Sequence, residues 1–153
     1  MFKKSFVALC AVAIVSVGLS LNAEKKKAAP KITCPISGKA VNDKAIVSHN
    51  GGDVKFCCNN CVAAFKKDPS KFAAKANLQL VQSGQAKQVN CPFAGKRVNA
   101  STAISIEGVD VAFCCDNCKK KAAATSDAIT LVFNEKSFKR GFEVAKRKKE
   151  VVI

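Results

Sequence analysis

The sequence predicts a small α+β protein in which a signal peptide precedes two tandem units, each a turn, a β-hairpin and a helix. Three observations predict it. The pattern C-P-x-x-G-K-x-V-N, followed after a gap by V-x-F-C-C-x-N-C, runs from Cys34 to Cys61 and again from Cys91 to Cys118, offset by a constant 57 residues, with 15 of 28 positions identical. In each copy a short apolar alternation is split by a glycine turn, Asn50-Gly51-Gly52 or Glu107-Gly108, as a hairpin requires. The first residues have the composition of an export signal.

That signal is read over residues 1–23. Lys3 and Lys4 precede an apolar run from Phe6 to Leu21 broken only by Ser16, Gly18 and Ser20, and Ala23 stands before the charged Glu24-Lys25-Lys26-Lys27. Cleavage is expected after Ala23, with Ser20 as the second position because Leu21 fits poorly three residues before the first. The run of about 16 apolar residues falls short of the ~20 that a spanning helix needs. Cys10 lies inside the run, an unsuitable place for lipid attachment. The protein is therefore expected to be exported, periplasmic or secreted, and to meet a membrane only through its signal peptide.

Residues 24–31 form a Lys/Ala linker closed by Pro30. The first repeat spans 32–76. Ile32 to Pro35 enters a turn ended by Gly38, Ala45 to Ser48 reads as a strand, and Asp53 to Cys57 returns with Val54 and Phe56 on one face. Asn59 or Asn60 is expected to cap a helix carrying Cys61 and Phe65, which Asp68-Pro69 ends; Ser70 to Ala74 starts another helical turn. A connector, 77–88, holds Leu78, Leu80 and Val81 and suggests a short helix. The second, divergent repeat spans 89–133, with Ile104 and Ile106 outbound, Val109, Val111 and Phe113 returning, and a helix capped by Asp116 or Asn117. Ala122, Ser126 and Ile129 stand where the first repeat has Phe65, Pro69 and Phe72, and Leu131, Val132, Phe133, Phe138, Phe142 and Val144 offer replacement packing. Residues 134–153 read as a basic C-terminal helix and tail.

Composition narrows the function. Of 153 residues 26 are Lys or Arg and 11 are Asp or Glu, giving a net charge of +15. The lysines are scattered and no Trp or Tyr accompanies them, so there is no platform for stacking bases and no nucleic-acid partner is expected. With one histidine and scattered acids no catalytic constellation assembles, and the chain is expected not to be an enzyme. Units of this size rarely bury enough apolar surface to stand without a metal or disulfide staple.

The sulfurs supply that staple. Cys34 and Cys91 sit on Pro-containing turns, and Cys57, Cys58, Cys61 and Cys114, Cys115, Cys118 sit where the return strand gives way to a helix. Backbone N–H groups at a helix N-terminus favour the thiolate. Cysteines four apart across that junction point to one centre, and the hairpin brings the turn cysteine back over it. Three or four thiolates at ~2.3 Å from one ion are then geometrically reasonable, and soft sulfur selects Zn(II) or Cu(I). For the adjacent Cys58 and Cys115 several roles stay open: fourth ligand or metal-transfer thiol, contact with a second metal, or small buried hydrophobe. His49 is matched by Ile106 in the second copy, so a site common to both cannot depend on imidazole. The rival reading is a disulfide-stabilised extracytoplasmic interaction module with a basic surface, since export implies an oxidising compartment.

These residues resemble the YHS and TRASH families of cysteine-dependent, metal-associated domains. The C-x22-C-x3-C spacing of Cys34, Cys57 and Cys61, matched by Cys91, Cys114 and Cys118, is similar to the TRASH pattern. Phe56-Cys57-Cys58-Asn59-Asn60-Cys61 with Phe65, Asp68, Pro69 and Phe72 is similar to the YHS ending. YHS domains often place a cysteine where this chain has Ser37 and Ala94, so their ligand set does not carry over whole. The resemblance implies treble-clef-like units (zinc knuckle, hairpin, helix) and a role in heavy-metal trafficking, buffering or resistance, with a metal-transporting or envelope protein as partner.

Overall fold

The computed structural model describes residues 30–145. The expected signal peptide, nearly all of the Lys/Ala linker and the basic run from Lys146 lie outside the described residues. Among them the chain is a mixed α+β protein with five helices and three two-stranded antiparallel sheets.

Each repeat opens with a tight turn. The Cys34 N–H donates to the Lys39 carbonyl and the Gly38 N–H to that of Cys34, both at 2.9 Å; Cys91, Lys96 and Gly95 repeat the pair at 2.8 Å. The hairpin of the first repeat is β1 (Asn42–His49) and β2 (Gly52–Phe56). Asn50 and Gly51 both have positive φ, +49° and +88°, which is the mirror-image turn whose twist suits two-residue hairpins. In the second repeat Glu107 and Gly108 take the same conformation between β4 (Asn99–Ile106) and β5 (Val109–Phe113). The inward residues of the return strands match the alternation read from sequence: Val54, Phe56, Val111 and Phe113 are fully buried. Both outbound strands slip register after their first residue, between Asn42 and Ile46 and between Asn99 and Ile104.

Helix α1 (Asn59–Lys67) follows β2, and α3 (Asp116–Ala123) follows β5. Neither is capped where expected, at Asn59 or Asn60 in the first and at Asp116 or Asn117 in the second. The N-cap residues are Cys58 and Cys115, in extended conformation and without a side-chain capping hydrogen bond. The strand hands over to the helix at the second cysteine, so Asn59, Asn60, Asp116 and Asn117 already lie inside the first turn. Asp68 then caps α2 (Pro69–Gln82), accepting from the Lys71 N–H at 3.2 Å with Pro69 at the first helical position, as proline prefers. The two helical segments read from sequence on either side of residue 76 are one continuous helix, because nothing between Pro69 and Gln82 breaks it.

The remaining elements are α4 (Ala128–Phe133), capped by Asp127, α5 (Glu135–Gly141), capped by Asn134, and two short strands, β3 (Ala86–Gln88) and β6 (Phe142–Val144), which pair. Helices α2 and α4 pack on each other, and one apolar cluster runs through both repeats. Phe65 tilts against Phe56 in the first, Phe93 against Phe113 in the second, and Phe138 stacks on Phe142 beside Phe133. Phe133, Phe138 and Phe142 are buried, whereas the side of Ala122 is lined by Ile104, Ile106 and Ile129 around an open cleft.

Three glutamines then fasten the return strands. Gln79, 2 % exposed, accepts from the Lys55 N–H at 2.7 Å and donates to the Lys55 and Thr33 carbonyls at 2.8 Å each. Gln85 brackets Asp53 in the same way. In the second repeat Gln88 accepts from the Ala112 N–H and donates to the Ala112 carbonyl. Lys55 and Ala112 are equivalent positions, each two residues before the first cysteine of the adjacent pair. The amide side chains act as single-residue strands and fix the segments that deliver the thiols.

Candidate metal centres

The fold brings six of the eight predicted sulfurs into two triads. Cys34, Cys57 and Cys61 form one, Cys91, Cys114 and Cys118 the other, and within each the three Sγ atoms lie within 4.8 Å of one another. Cys57 and Cys61 are 3.6 Å apart, Cys114 and Cys118 3.8 Å. Sulfurs bonded to one ion at ~2.3 Å sit about 4 Å apart, whereas a disulfide requires about 2.05 Å. All eight thiols among the described residues are free, and each triad could hold a metal ion. The turn cysteines form the floor, Cys34 at 2 % and Cys91 at 0 % exposure, and the four junction cysteines are half-buried.

Cys58 and Cys115 are placed differently. Both are exposed and lie outside the triads, with Sγ 3.7 Å from that of Cys57 and 3.8 Å from that of Cys114. Their backbone angles are nearly the same, φ −161° and ψ 168° against φ −160° and ψ 167°. The backbone N–H groups of Cys61 and Asn60 hold the Cys58 thiol below its ordinary pKa, aided by Cys57, and those of Cys118 and Asn117 do the same for Cys115 with help from Cys114.

Inside each triad the protonation states are split. Burial works to raise the Cys34 pKa, but the Ser37 hydroxyl and the N–H groups of Ser37, Cys57 and Ile36 outweigh it and bring it down to about 6. Cys91 is lowered in the same sense against the same burial, through backbone donors at Ala94, Cys114 and Phe93. Burial and the neighbouring thiols push Cys61 and Cys118 up to about 12, and Cys114 is raised for the same reasons. One thiolate per triad forms readily and the next is held back by its charge. A dication or a soft monocation relieves that repulsion, which is what a thiolate metal site requires.

Sequence reasoning missed two contributors. Ser37 Oγ lies 3.2 Å from Cys57 Sγ, and the signal for it was a difference between copies, since Ala94 stands at that place in the second. The glutamine clamps left no signal, because amide side chains paired with backbone have no periodicity. His49 belongs to neither triad, in keeping with its match to Ile106: it ends β1, meets the Phe65 ring edge-on and lies 3.1 Å from a Glu135 carboxylate oxygen.

Searches against protein families, curated proteins and solved structures find no match for this chain. The likeness to YHS and TRASH domains therefore rests on the quoted residues and on two cysteine triads of the kind that tandem cysteine-rich metal-binding domains contain. Among the described residues no helix is long and apolar enough to cross a membrane.

Proposed function

We propose that this chain is an exported, non-enzymatic metal-binding protein that carries, buffers or sequesters a soft heavy-metal ion, Zn(II) or Cu(I), in two treble-clef-like units of the YHS/TRASH type. The observation that carries the reading is the duplicated sulfur triad, set at metal-bonding separation and built by the same turn, hairpin and helix in both copies. Cys34, Cys57 and Cys61 hold one ion, and Cys91, Cys114 and Cys118 the other. Neutral-donor and carboxylate ligands are missing from the triads, which disfavours hard cations and leaves ions that prefer thiolate. A metal-transporting or envelope protein is the expected partner in the periplasm or outside the cell, and the signal-peptide composition of residues 1–23 supports that location.

Elemental analysis of the mature protein should find about two ions per chain, and Cys57→Ser or Cys61→Ser should remove one of them. Thiol counting under denaturing conditions separates the rival class. A mature chain, without Cys10, whose eight cysteines are covalently paired and metal-free is a disulfide-built interaction module and ends this reading.

A further inference from the structure

We infer that Cys58 and Cys115 are landing thiols, through which a soft cation bound to an external thiolate donor enters and leaves the triads. The inference rests on the metal-binding reading above and deepens it by naming how the ion arrives and in what chemical form.

The geometry has three parts. First, the thiols form a graded series from solvent inward. Cys58 is exposed, Cys57 and Cys61 are half-buried, and Cys34 is buried; Cys115, Cys114, Cys118 and Cys91 repeat the order. An ion still bonded to a bulky donor cannot reach Cys34 or Cys91 first. Second, the sulfur-to-sulfur steps are short and continuous: 3.7 Å from Cys58 to Cys57 and 3.6 Å from Cys57 to Cys61, with 3.8 Å for both steps in the second repeat. Two sulfurs that far apart can share one ion at ~2.3 Å from each, so the ion need never be released into water. Third, the exposed thiol adopts the same extended backbone in both copies although the helices that follow have diverged. A merely structural cysteine would sit in the core as a small hydrophobe, and these two do not.

The step is a ligand exchange with no change of oxidation state. A sulfur–metal bond forms from Cys58 as its thiol loses a proton to solvent. One donor thiolate then leaves the ion and takes up a proton. Cys57 and Cys61 replace the remaining donor sulfurs in the same way, and Cys58 drops off and regains its proton as Cys34 closes the triad. The ligand class is thus a soft cation presented as a thiolate complex, in preference to an aquo ion.

The test loads metal-free full-length mature protein with Cu(I) presented as its glutathione complex, following thiolate-to-metal absorption by stopped flow. Bound copper is counted after desalting. The Cys58→Ser/Cys115→Ser double variant should hold as many ions as wild type but take them up about tenfold more slowly or worse, since the held relay group that made the exchange intramolecular is gone. The single variants should slow one phase each. Far-UV circular dichroism checks that the exposed substitutions leave the fold unchanged. Wild-type rates in the double variant would overturn the inference. So would a fall in the number of bound ions, which would make these cysteines resident ligands. Wild-type protein that binds no copper or zinc ends the metal-binding reading itself and this inference with it, a result distinct from normal loading at an unaltered rate.

Discussion

The two repeats share a sulfur skeleton and the turn and hairpin that carry it, and differ in what packs against them. Both place three thiols at the same separations and a fourth at the same exposed cap. Yet Ser37 faces Ala94, His49 faces Ile106, Phe65 faces Ala122 and Gly52 faces Val109 across the repeat. The first helix of each unit has been retained and its packing exchanged: Phe65 of the first helix tilts against Phe56, whereas in the second unit Phe113 meets Phe93 of the opening turn and the helix offers only Ala122. Positions that set sulfur geometry tolerate little change, because a bond of ~2.3 Å leaves little slack. Positions that only fill volume can be traded with a neighbour across a common core.

That comparison can be broken most directly at its core. Phe56→Ala and Phe113→Ala each remove a fully buried ring and should each cost about 3–5 kcal/mol. Because one apolar cluster spans both units, denaturant titration of either variant should shift a single transition. Two separable transitions, with only the mutated half weakened, would mean that the units fold independently.

The clamps come next. Gln79→Ala leaves the Lys55 N–H and carbonyl and the Thr33 carbonyl without their partner in a buried setting, and should cost about 1–3 kcal/mol. Gln88→Ala acts at the equivalent Ala112 from a half-buried position and should cost less, as read from the same titrations.

Proton competition sharpens the contrast between the triads. Cys34, held down to about 6, is already ionised at neutral pH, whereas Cys61, pushed up to about 12, still carries a proton that the metal must displace. In the second triad both Cys114 and Cys118 are raised. Acid adds protons to the sites and metal removes them, so affinity falls as pH falls. Each triad should lose at least about one decade of affinity per pH unit between pH 8 and 6, as competition with a chromophoric chelator would read. Ser37→Ala should weaken the first triad by about tenfold through the lost hydrogen bond to a charged thiolate, and Ala94→Ser should strengthen the second. Unchanged affinities in both variants would erase the distinction.

The smallest effect is expected at His49. Its contact with Glu135 is partly open to solvent, and His49→Ile, which copies the second repeat, should change stability by about 1 kcal/mol or less.

Much of this architecture is legible in the sequence because it is local. Asn50-Gly51 dictates its own turn, Val54 and Phe56 alternate because a strand has two faces, and the cysteines declare themselves by repetition. The duplicated pattern also led to six sulfurs that do converge. What stayed hidden depends on partners distant in the chain. The pairing of Ala86–Gln88 with Phe142–Val144 joins segments too short to show alternation. The continuity of α2 is obscured by treating residues 69–76 and 77–82 as belonging to different parts. The capping role of Cys58 runs against the preference for asparagine, because the hairpin fixes where the strand must end. Ser37 emerges only when the two copies are set against each other atom by atom.

The glutamine clamps carry a last consequence. In each hairpin the outbound strand covers one side of the return strand, and the other side would stand open to any passing chain if amide side chains from the connecting segment did not close it. The stretch between the repeats is thus a guard against self-association as well as a tether. Severing it beyond Gln88 would strip one half of its shield, and that half should pair strand-to-strand with its own copies at concentrations where the intact chain stays single.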